Sequence, residues 1–345
     1  MNQTQILGVL LGTAVGDALG LPYEGLSPQR ARRLWGPPDR HRFWFGWGMV
    51  SDDTEHTVLV AQAFLAADGD ATAFANHLGR GLRGWLLGLP AGIGGATLRA
   101  ILKLWLGYPP THSGVFSAGN GPAMRSGILG AIAADLPQLR ALVRASTRTT
   151  HTDPRAEYGA LTIALAVRHA GRGEVHGPTF HQDLAAHVSD GPWLAHIQQA
   201  VTSVTQGETT PQFLARQGWD RGVSGFVEHC IPVAVHIWLS HPQDYAAAVM
   251  TAIQCGGDTD SLAAMVGAMV GAAVGPTGIP EVWCQRLWEP MHSVAGLTHL
   301  AADLATGRQS PRPHWGTNLL GFGRNLCFLA IVLGHGLRRL APPYA

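Results

Sequence analysis

Charge is scarce in this sequence of 345 residues, and its two signs nearly cancel. Charged residues make up 14% of the chain, with 24 Lys and Arg against 23 Asp and Glu. This balance leaves no basic excess of the kind that nucleic acids or anionic membranes attract. We therefore expect neither nucleic acid nor a membrane as a partner. The 46% share of hydrophobic residues instead predicts a globular chain with a large core.

Cysteine is scarce as well. The four cysteines, Cys230, Cys255, Cys284 and Cys327, lie far apart and form no CxxC pair. Neither a disulfide framework nor a zinc knuckle is expected from this spacing, and a cytoplasmic location fits it best.

Long hydrophobic runs suited to a membrane are also lacking. The N-terminal "MNQTQILGVLLGTAVGDALG" has no positively charged start and contains Asp17, so it is interpreted as a core helix and not as a signal peptide. The apolar segment Asn325–Leu337 is shorter than the ~20 residues of a spanning helix and carries His335. It is predicted to be a buried C-terminal helix.

The alternating pattern of β-strands is nearly absent, whereas apolar residues recur every three or four positions along most of the chain. Gly- and Pro-rich connectors separate these segments, and no charged or Ser-rich linker divides them. We therefore expect one compact all-α domain over residues 1–345. Helices are predicted at Thr4–Leu19, Thr54–Ala67, Ala73–Leu87, Ala96–Leu106, Ala123–Ala134, Leu136–Thr147, Ala156–Ala170, Thr179–Val188, Pro192–Thr205, Val227–Leu239, Asp244–Ile253, Ser261–Val274, Glu281–His292 and Leu297–Ala305.

Glycines recur at every fourth position in two of the predicted helices. A glycine inside a helix costs roughly 1 kcal/mol relative to alanine. A row of glycines one turn apart, however, lets two helix backbones approach closely. We therefore expect these two helices to lie against each other, or against a third, at the centre of the molecule. The two rows are Gly8, Gly12, Gly16 and Gly20, and Gly267, Gly271 and Gly275.

Acidic and hydroxyl residues open two of the predicted helices. Alone, either cluster is explained by helix capping, because these side chains accept hydrogen bonds from the first N–H groups. Two clusters of the same composition, drawn together by the glycine rows, favour a site for Mg²⁺ or Mn²⁺ instead. Four carboxylates would balance two such ions. The clusters are Ser51, Asp52 and Asp53, and Asp258, Asp260 and Ser261.

Six motifs in this order resemble the ADP-ribosylglycohydrolase family: "GTAVGDALGLPYEG", "SDDT", "GIGGAT", "GNGPAMR", "THTDPRAEYGA" and "CGGDTDSLAAMVGAMVGA". The resemblance covers a core of about residues 7–275 and leaves a helical extension of about residues 281–345 outside it. It implies an all-α fold with a central cleft that holds two Mg²⁺ ions, or Mn²⁺ in some relatives.

The resemblance also implies roles for the acidic residues. Glu24, Asp258 and Asp260 are the candidates for general acid or base, and the sequence does not decide between them. Asp17 is interpreted as a residue that orients a helix or supports the ligands, or as purely structural. The implied metal ligands are Ser51, Asp52, Asp53, Asp258, Asp260 and Ser261.

The glycine-rich motifs are similar to the loops that contact the diphosphate and adenosine in the family, where open backbone N–H groups suit phosphate oxygens. Some relatives stack an aromatic residue on the adenine just before the GNG sequence. This chain has Ala118 there, and Phe116 is the nearest substitute. The implied substrate-binding residues are Gly92, Gly94, Ser117, Gly119, Asn120, Met124 and His151.

The implied activity is hydrolysis of the C1″ glycosidic bond of an ADP-ribosyl group, attached to a protein side chain or a small acceptor, with release of ADP-ribose. Two alternatives remain open at the level of sequence. One is a non-catalytic relative that binds ADP-ribose or serves a structural purpose. The other is a metal-dependent phosphohydrolase that cleaves a nucleotide diphosphate. The sequence does not identify the acceptor.

Overall fold

Helix starts in this protein are set by capping side chains followed by proline. Asp135, Asp153 and Asp190 each accept a hydrogen bond from the backbone N–H of a following first-turn residue, and a proline stands at the first or second helical position in all three cases. This pairing suits both the unpaired first-turn N–H groups and the fixed φ of proline. The computed structural model describes residues 1–308 and 319–342.

The described residues form α-helices joined by long connectors, and the only β-pairing among them is a set of isolated bridges. The prediction of an all-α domain is confirmed. The helices are α1 Gln3–Gly20, α2 Pro28–Trp35, α3 Asp52–Ala67, α4 Ala71–Leu87, α5 Gly95–Trp105, α6 Pro110–Ser113, α7 Gly121–Met124, α8 Gly127–Ile132, α9 Leu136–Arg148, α10 Pro154–Arg172, α11 Gly177–Ala185, α12 Gly191–Thr205, α13 Thr210–Gln217, α14 Val227–Ser240, α15 Tyr245–Gln254, α16 Thr259–Val274, α17 Glu281–Gln285, α18 Val294–Thr306 and α19 Leu319–Arg339, with 3₁₀ turns at Leu21–Tyr23 and Pro276–Gly278.

Helices α1 and α16 lie directly against each other through their glycine rows. A Cβ added at Gly12 would stand 2.2 Å from the carbonyl oxygen of Gly267, and one added at Gly8 would stand 2.1 Å from that of Gly271. Both distances are far below van der Waals contact, so only hydrogen fits at these positions. The predicted contact of the two glycine helices is confirmed. One continuous hydrophobic core surrounds the pair.

Three sequence predictions need correction. The helix expected over Ala123–Ala134 is broken into α7 and α8, because the Ser126 hydroxyl donates to the carbonyl of Ala123 and displaces the regular ladder. The helix expected over Glu281–His292 ends at Gln285, because the chain beyond it pairs with the backbone of Gly48. The short helices α2, α6 and α13 were not expected.

The C-terminal helix α19 is buried on one face alone. Arg324, Asn325 and Phe328 are buried, whereas Leu333 is 60% exposed and Leu337 is 70% exposed. The prediction of a buried helix is therefore wrong for the other face. Large apolar residues lie on both faces of this helix, such as Phe328 on the buried face and Leu333 on the exposed one. The spacing of its apolar residues therefore does not show which face contacts the protein.

The segment Gln3–Tyr23 is long and apolar enough to span a membrane, but it is almost entirely buried inside the protein. The sequence-based interpretation as a core helix agrees with this placement. Helix α1 packs against α3, α8, α16 and α18, with α16 on the glycine side.

Candidate functional site

The first acidic cluster lies at the start of α3, where Ser51 is the N-cap residue and Asp17 from α1 accepts further backbone hydrogen bonds. The buried carboxylate of Asp17, on α1, accepts from the backbone N–H of Ser51 at 2.9 Å and from that of Thr54 at 3.1 Å. Burial raises the pKa of Asp17 to about 6, and these hydrogen bonds oppose the rise. Because Asp17 satisfies the helix start, the side chains of Asp52 and Asp53 are not needed for capping.

The second acidic cluster lies at the start of α16 and depends on two glycines. Gly256 and Gly257 have φ of +68° and +80°, and a Cβ at Gly257 would stand 2.1 Å from the carbonyl oxygen of Val223. This turn places Asp258 at the helix start, where its side chain forms no capping hydrogen bond. The Asn120 amide instead donates to Asp258 Oδ2 at 2.8 Å.

The two clusters meet because the glycine rows bring α1 and α16 together. Ser261 Oγ on α16 donates to Asp53 Oδ2 on α3 at 3.3 Å, and Ser51 Oγ donates to the same oxygen at 3.2 Å. Burial and the neighbouring carboxylates raise the pKa of Asp52, Asp53 and Asp260 well above the ordinary range. Full ionisation of these carboxyl groups is therefore unfavourable unless a positive charge lies beside them.

One cavity of about 320 Å³ collects almost all the predicted site residues. Its volume is at the lower end of the range for small-molecule sites. Asp53 alone does not line it and instead supports Ser51 and Ser261 from behind. The predicted residues that line the cavity are Glu24, Ser51, Asp52, Gly92, Gly94, Ser117, Gly119, Asn120, Met124, His151, Asp258, Asp260 and Ser261.

Glu24 approaches the second cluster through backbone pairing. The N–H of Gly25 donates to the carbonyl of Gly257 at 2.7 Å, and the N–H of Gly257 donates to that of Leu26 at 2.9 Å. Burial, and then the charge of Asp258, raises the pKa of Glu24. This carboxyl is therefore easier to protonate than a solvated glutamate.

The glycine-rich loop at Gly119 is fixed by the connector before α14. The N–H of Asn120 donates to the carbonyl of Gly225 at 2.9 Å, and the N–H of Val227 donates to that of Ala118 at 3.0 Å. The same connector pairs with the Gly257 turn through Val223. One segment thus positions both the glycine loop and the second acidic cluster.

Phe116, the sequence-based substitute for an adenine-stacking residue, is 75% exposed and does not line the cavity. The backbone of Phe226 pairs with that of Gly119 at the glycine loop, but Phe226 does not line the cavity either. The cavity-lining aromatic is Phe328 on α19.

The residue types of the acidic clusters fit a hard divalent cation. All the donors are oxygens, and the buried atoms Asp53 Oδ1 and Asp260 Oδ1 have no hydrogen-bond partner. Among residues 1–308 and 319–342, no group of three or more Asp, Glu, His or Cys side chains is placed so that it could hold a metal ion.

Several cavity residues were missed at the level of sequence. Thr97 is the last residue of the motif "GIGGAT", so its position in that motif was an available signal. Leu21, Ala91, Phe328 and Val332 form an apolar wall of the cavity, and of these four only Leu21 lies inside a quoted motif. The two residues on α19 lie outside the motif-bearing core, where the sequence offered no indication of a role.

Comparisons with known proteins agree with the motifs. The ADP-ribosyl-(dinitrogen reductase) glycohydrolase of Rhodospirillum rubrum is 27% identical over 294 residues, covering 81% of this chain and 89% of that protein. The ADP-ribosylhydrolase ARH3 of Gallus gallus is 27% identical over 332 residues, covering 81% and 87%. An uncharacterized protein of Archaeoglobus fulgidus is 31% identical over 300 residues, covering 81% and 90%.

A solved structure, an ADP-ribosylglycohydrolase-related protein complex, has the same fold with a TM-score of 0.63 at 24% identity, covering 89% of this chain and 99% of that chain. A family model described as ADP-ribosylglycohydrolase matches residues 2–314. The chain therefore belongs to the ADP-ribosylglycohydrolase family.

Proposed function

We propose that this protein is a Mg²⁺-dependent hydrolase that cleaves the C1″ glycosidic bond of an ADP-ribosyl group and releases ADP-ribose. The observation that carries the proposal is the meeting of two acidic clusters, from α3 and α16, in one cavity with the glycine-rich loops. Acids at one side, and at the other the start of α5, which has no side-chain cap, suit a ligand with both ribose hydroxyls and a diphosphate.

The carboxylates and hydroxyls of the two clusters would hold the cations: Ser51, Asp52, Asp53, Asp258, Asp260 and Ser261. Bound there, the ions supply orientation of the ribose hydroxyls and stabilisation of developing charge. Mn²⁺ has the same preference for oxygen ligands and would substitute for Mg²⁺. Asn120 holds Asp258 in place, and Asp17 fixes the start of α3 behind Asp52.

Glu24 is the carboxyl best suited to move a proton in this reaction. It lines the cavity but lies outside the implied ligand set, so proton transfer does not compete with metal binding. Its raised pKa brings it closer to neutral pH, where a general acid or base works best. Asp258 and Asp260 are both implied metal ligands, so taking up a proton would weaken their binding to the cation.

The test uses purified full-length protein with a panel of arginine-, serine- and acyl-linked ADP-ribosylated substrates, with and without Mg²⁺. Release of ADP-ribose in the presence of Mg²⁺ is the expected result. Release of AMP would show a phosphohydrolase, and calorimetric binding of ADP-ribose without turnover on any substrate would show a non-catalytic binding protein. Either result would overturn the proposal.

A further inference from the structure

Arg125 is a fully buried cation that forms no ion pair with a carboxylate among the described residues. Its guanidinium donates to the Ser146 carbonyl at 2.8 Å, to Ser146 Oγ at 3.1 Å and to Thr150 Oγ1 at 2.7 Å. Its remaining contact is His56 Nδ1 at 3.4 Å. Burial lowers the pKa of Arg125 to about 10, so it remains charged at neutral pH.

The hydroxyl of Thr150 connects this cation to the cavity. A guanidinium has only donors, so Thr150 Oγ1 must accept from Arg125. The hydroxyl hydrogen is then free to point elsewhere, and His151 Nδ1 lies 2.9 Å away. Donation from Thr150 to this nitrogen requires His151 Nδ1 to carry no hydrogen.

A neutral imidazole without hydrogen on Nδ1 carries it on Nε2. Burial, followed by the charge of Arg125, lowers the pKa of His151 to about 3, so the ring is neutral at pH 7. Among the described residues Nε2 has no hydrogen-bond partner. The Nε2 atom of His151 lies over the glycine loop, 3.3 Å from the position that a Cβ on Gly119 would occupy. His151 is also one of the residues that line the cavity.

We infer that Arg125 and Thr150 are positioning residues that hold His151 as a neutral Nε2–H donor facing the cavity, where it binds an anionic oxygen of the ligand. In this arrangement His151 is a fixed hydrogen-bond donor and not a proton shuttle. Arg125 forms no ion pair among the described residues, although the charge of Asp52 acts on it at longer range, and its buried positive charge favours an anion at this point. The inference rests on the proposed function, in which that anion is the diphosphate of ADP-ribose.

The tautomer is directly measurable in the wild-type protein. Long-range ¹H–¹⁵N spectra of ¹⁵N-histidine-labelled protein distinguish protonated from unprotonated ring nitrogens, and the His151 signals are assigned by their loss in His151→Gln. The expected result is an unprotonated Nδ1 and a protonated Nε2 at neutral pH. A protonated Nδ1, or a doubly protonated ring, overturns the inference without any binding measurement.

A pair of variants tests the connection. Thr150→Val keeps the shape but removes the hydroxyl, and Thr150→Ser restores it. We expect Thr150→Val to bind ADP-ribose about tenfold more weakly in calorimetry with Mg²⁺ present, and Thr150→Ser to bind as the wild type does. The matched control is Thr149→Val, because the Thr149 hydroxyl donates to the Ala145 carbonyl within its own helix end.

The outcomes separate this inference from the proposed function. If the wild type binds no ADP-ribose, the proposed function fails, whatever the tautomer of His151. If the wild type binds and folded Thr150→Val binds equally well with unchanged His151 signals, the positioning inference fails alone. Should Thr150→Val not fold, the wild-type spectrum still decides the tautomer.

Discussion

At the scale of single residues, the site combines acids that repel one another with a few neutral donors that hold them. Asp260 is buried beside other carboxylates, and its Oδ1 has no hydrogen-bond partner. Such an arrangement costs stability, and the binding of the proposed cation would offset that cost. Function and stability therefore have opposite requirements at this residue.

Asp260→Asn is expected to abolish most activity while making the metal-free protein more stable. Removing one charge relieves repulsion within the cluster, so the unfolding temperature without Mg²⁺ should rise. Turnover should fall by about 10²-fold or more, and the thermal shift on adding Mg²⁺ should shrink. Differential scanning fluorimetry with and without Mg²⁺ and an ADP-ribose release assay measure these effects. Asp70→Asn, at the exposed cap of α4, is the control, and equal activity loss in both variants would contradict the prediction.

The buried ring of His236, which lies away from the site, predicts that the folded protein loses stability in acid. Its ring is buried, bonded to Ser203 and Thr210 and stacked on Phe213 at 4.7 Å. Burial lowers the pKa of His236 to about 4. The unfolded chain binds this proton near pH 6.5 but the folded protein only near pH 4, so acid favours unfolding between these values.

Lowering the pH from 7 to 5 should therefore cost about 1–2 kcal/mol at this residue. His236→Gln should lose less free energy of unfolding over the same interval than the wild type, measured by urea titration at both pH values. His299→Gln, at an exposed histidine, serves as the control. A pH dependence that is identical in His236→Gln and the wild type would rule out this histidine as the cause.

At the scale of elements, the contact of α1 with α16 determines whether the site exists at all. The glycines of both helices face each other's backbone carbonyls, and Tyr245 adds a hydrogen bond from its hydroxyl to the carbonyl of Gly12 at 2.7 Å. The close approach brings Asp17 at the end of α1 beside the start of α3 and close to that of α16. A wider separation would move the two acidic clusters apart.

Gly12→Ala should destabilise the protein by about 3 kcal/mol or more, because the added methyl group overlaps the carbonyl of Gly267. Gly84→Ala is the matched control, since no atom lies within 4 Å of the added methyl group in the interior of α4. That variant should gain up to about 1 kcal/mol from helix propensity. Urea unfolding of both proteins gives the comparison, and equal effects of the two substitutions would contradict the steric account.

At the scale of the whole molecule, helix α19 joins the end of the described chain to the cavity of the candidate site. Arg324 forms buried ion pairs with Glu55 at 2.9 Å and Glu289 at 2.6 Å, and it also donates to the carbonyl of Val50. Val50 directly precedes Ser51 at the first acidic cluster. The last helix is thus tied to the segment that positions the proposed ligands.

Arg324→Met should cost about 3–5 kcal/mol, because it leaves two buried carboxylates without their cation. Neutralising them in the triple variant with Glu55→Gln and Glu289→Gln should recover part of that loss. Arg148→Met, which breaks the half-exposed pair with Glu157, should cost less than about 1 kcal/mol. Chemical denaturation of the three proteins decides the question. A triple variant no more stable than Arg324→Met alone would show that the unpaired carboxylates are not the cause.

The sequence by itself determined the helical class, most of the helix positions and the family, because apolar periodicity and short motifs are local properties of the chain. It also indicated that the two glycine helices pack closely against each other or against a third helix, and the structure shows the first of these. The family resemblance drawn from the motifs is confirmed by the comparisons. The metal ions and the roles of the site residues stay predictions.

The tertiary structure alone decided which of these residues act on one another. Asp17 accepts hydrogen bonds at the start of α3, Asn120 donates to Asp258, and Arg125 donates to Thr150. The local sequence does not show these contacts, because each of them joins segments far apart in the chain. The same holds for Phe328, whose place in the cavity wall follows from where α19 packs. Such contacts arise from the folding of the whole core, and a pattern within one helix does not contain them.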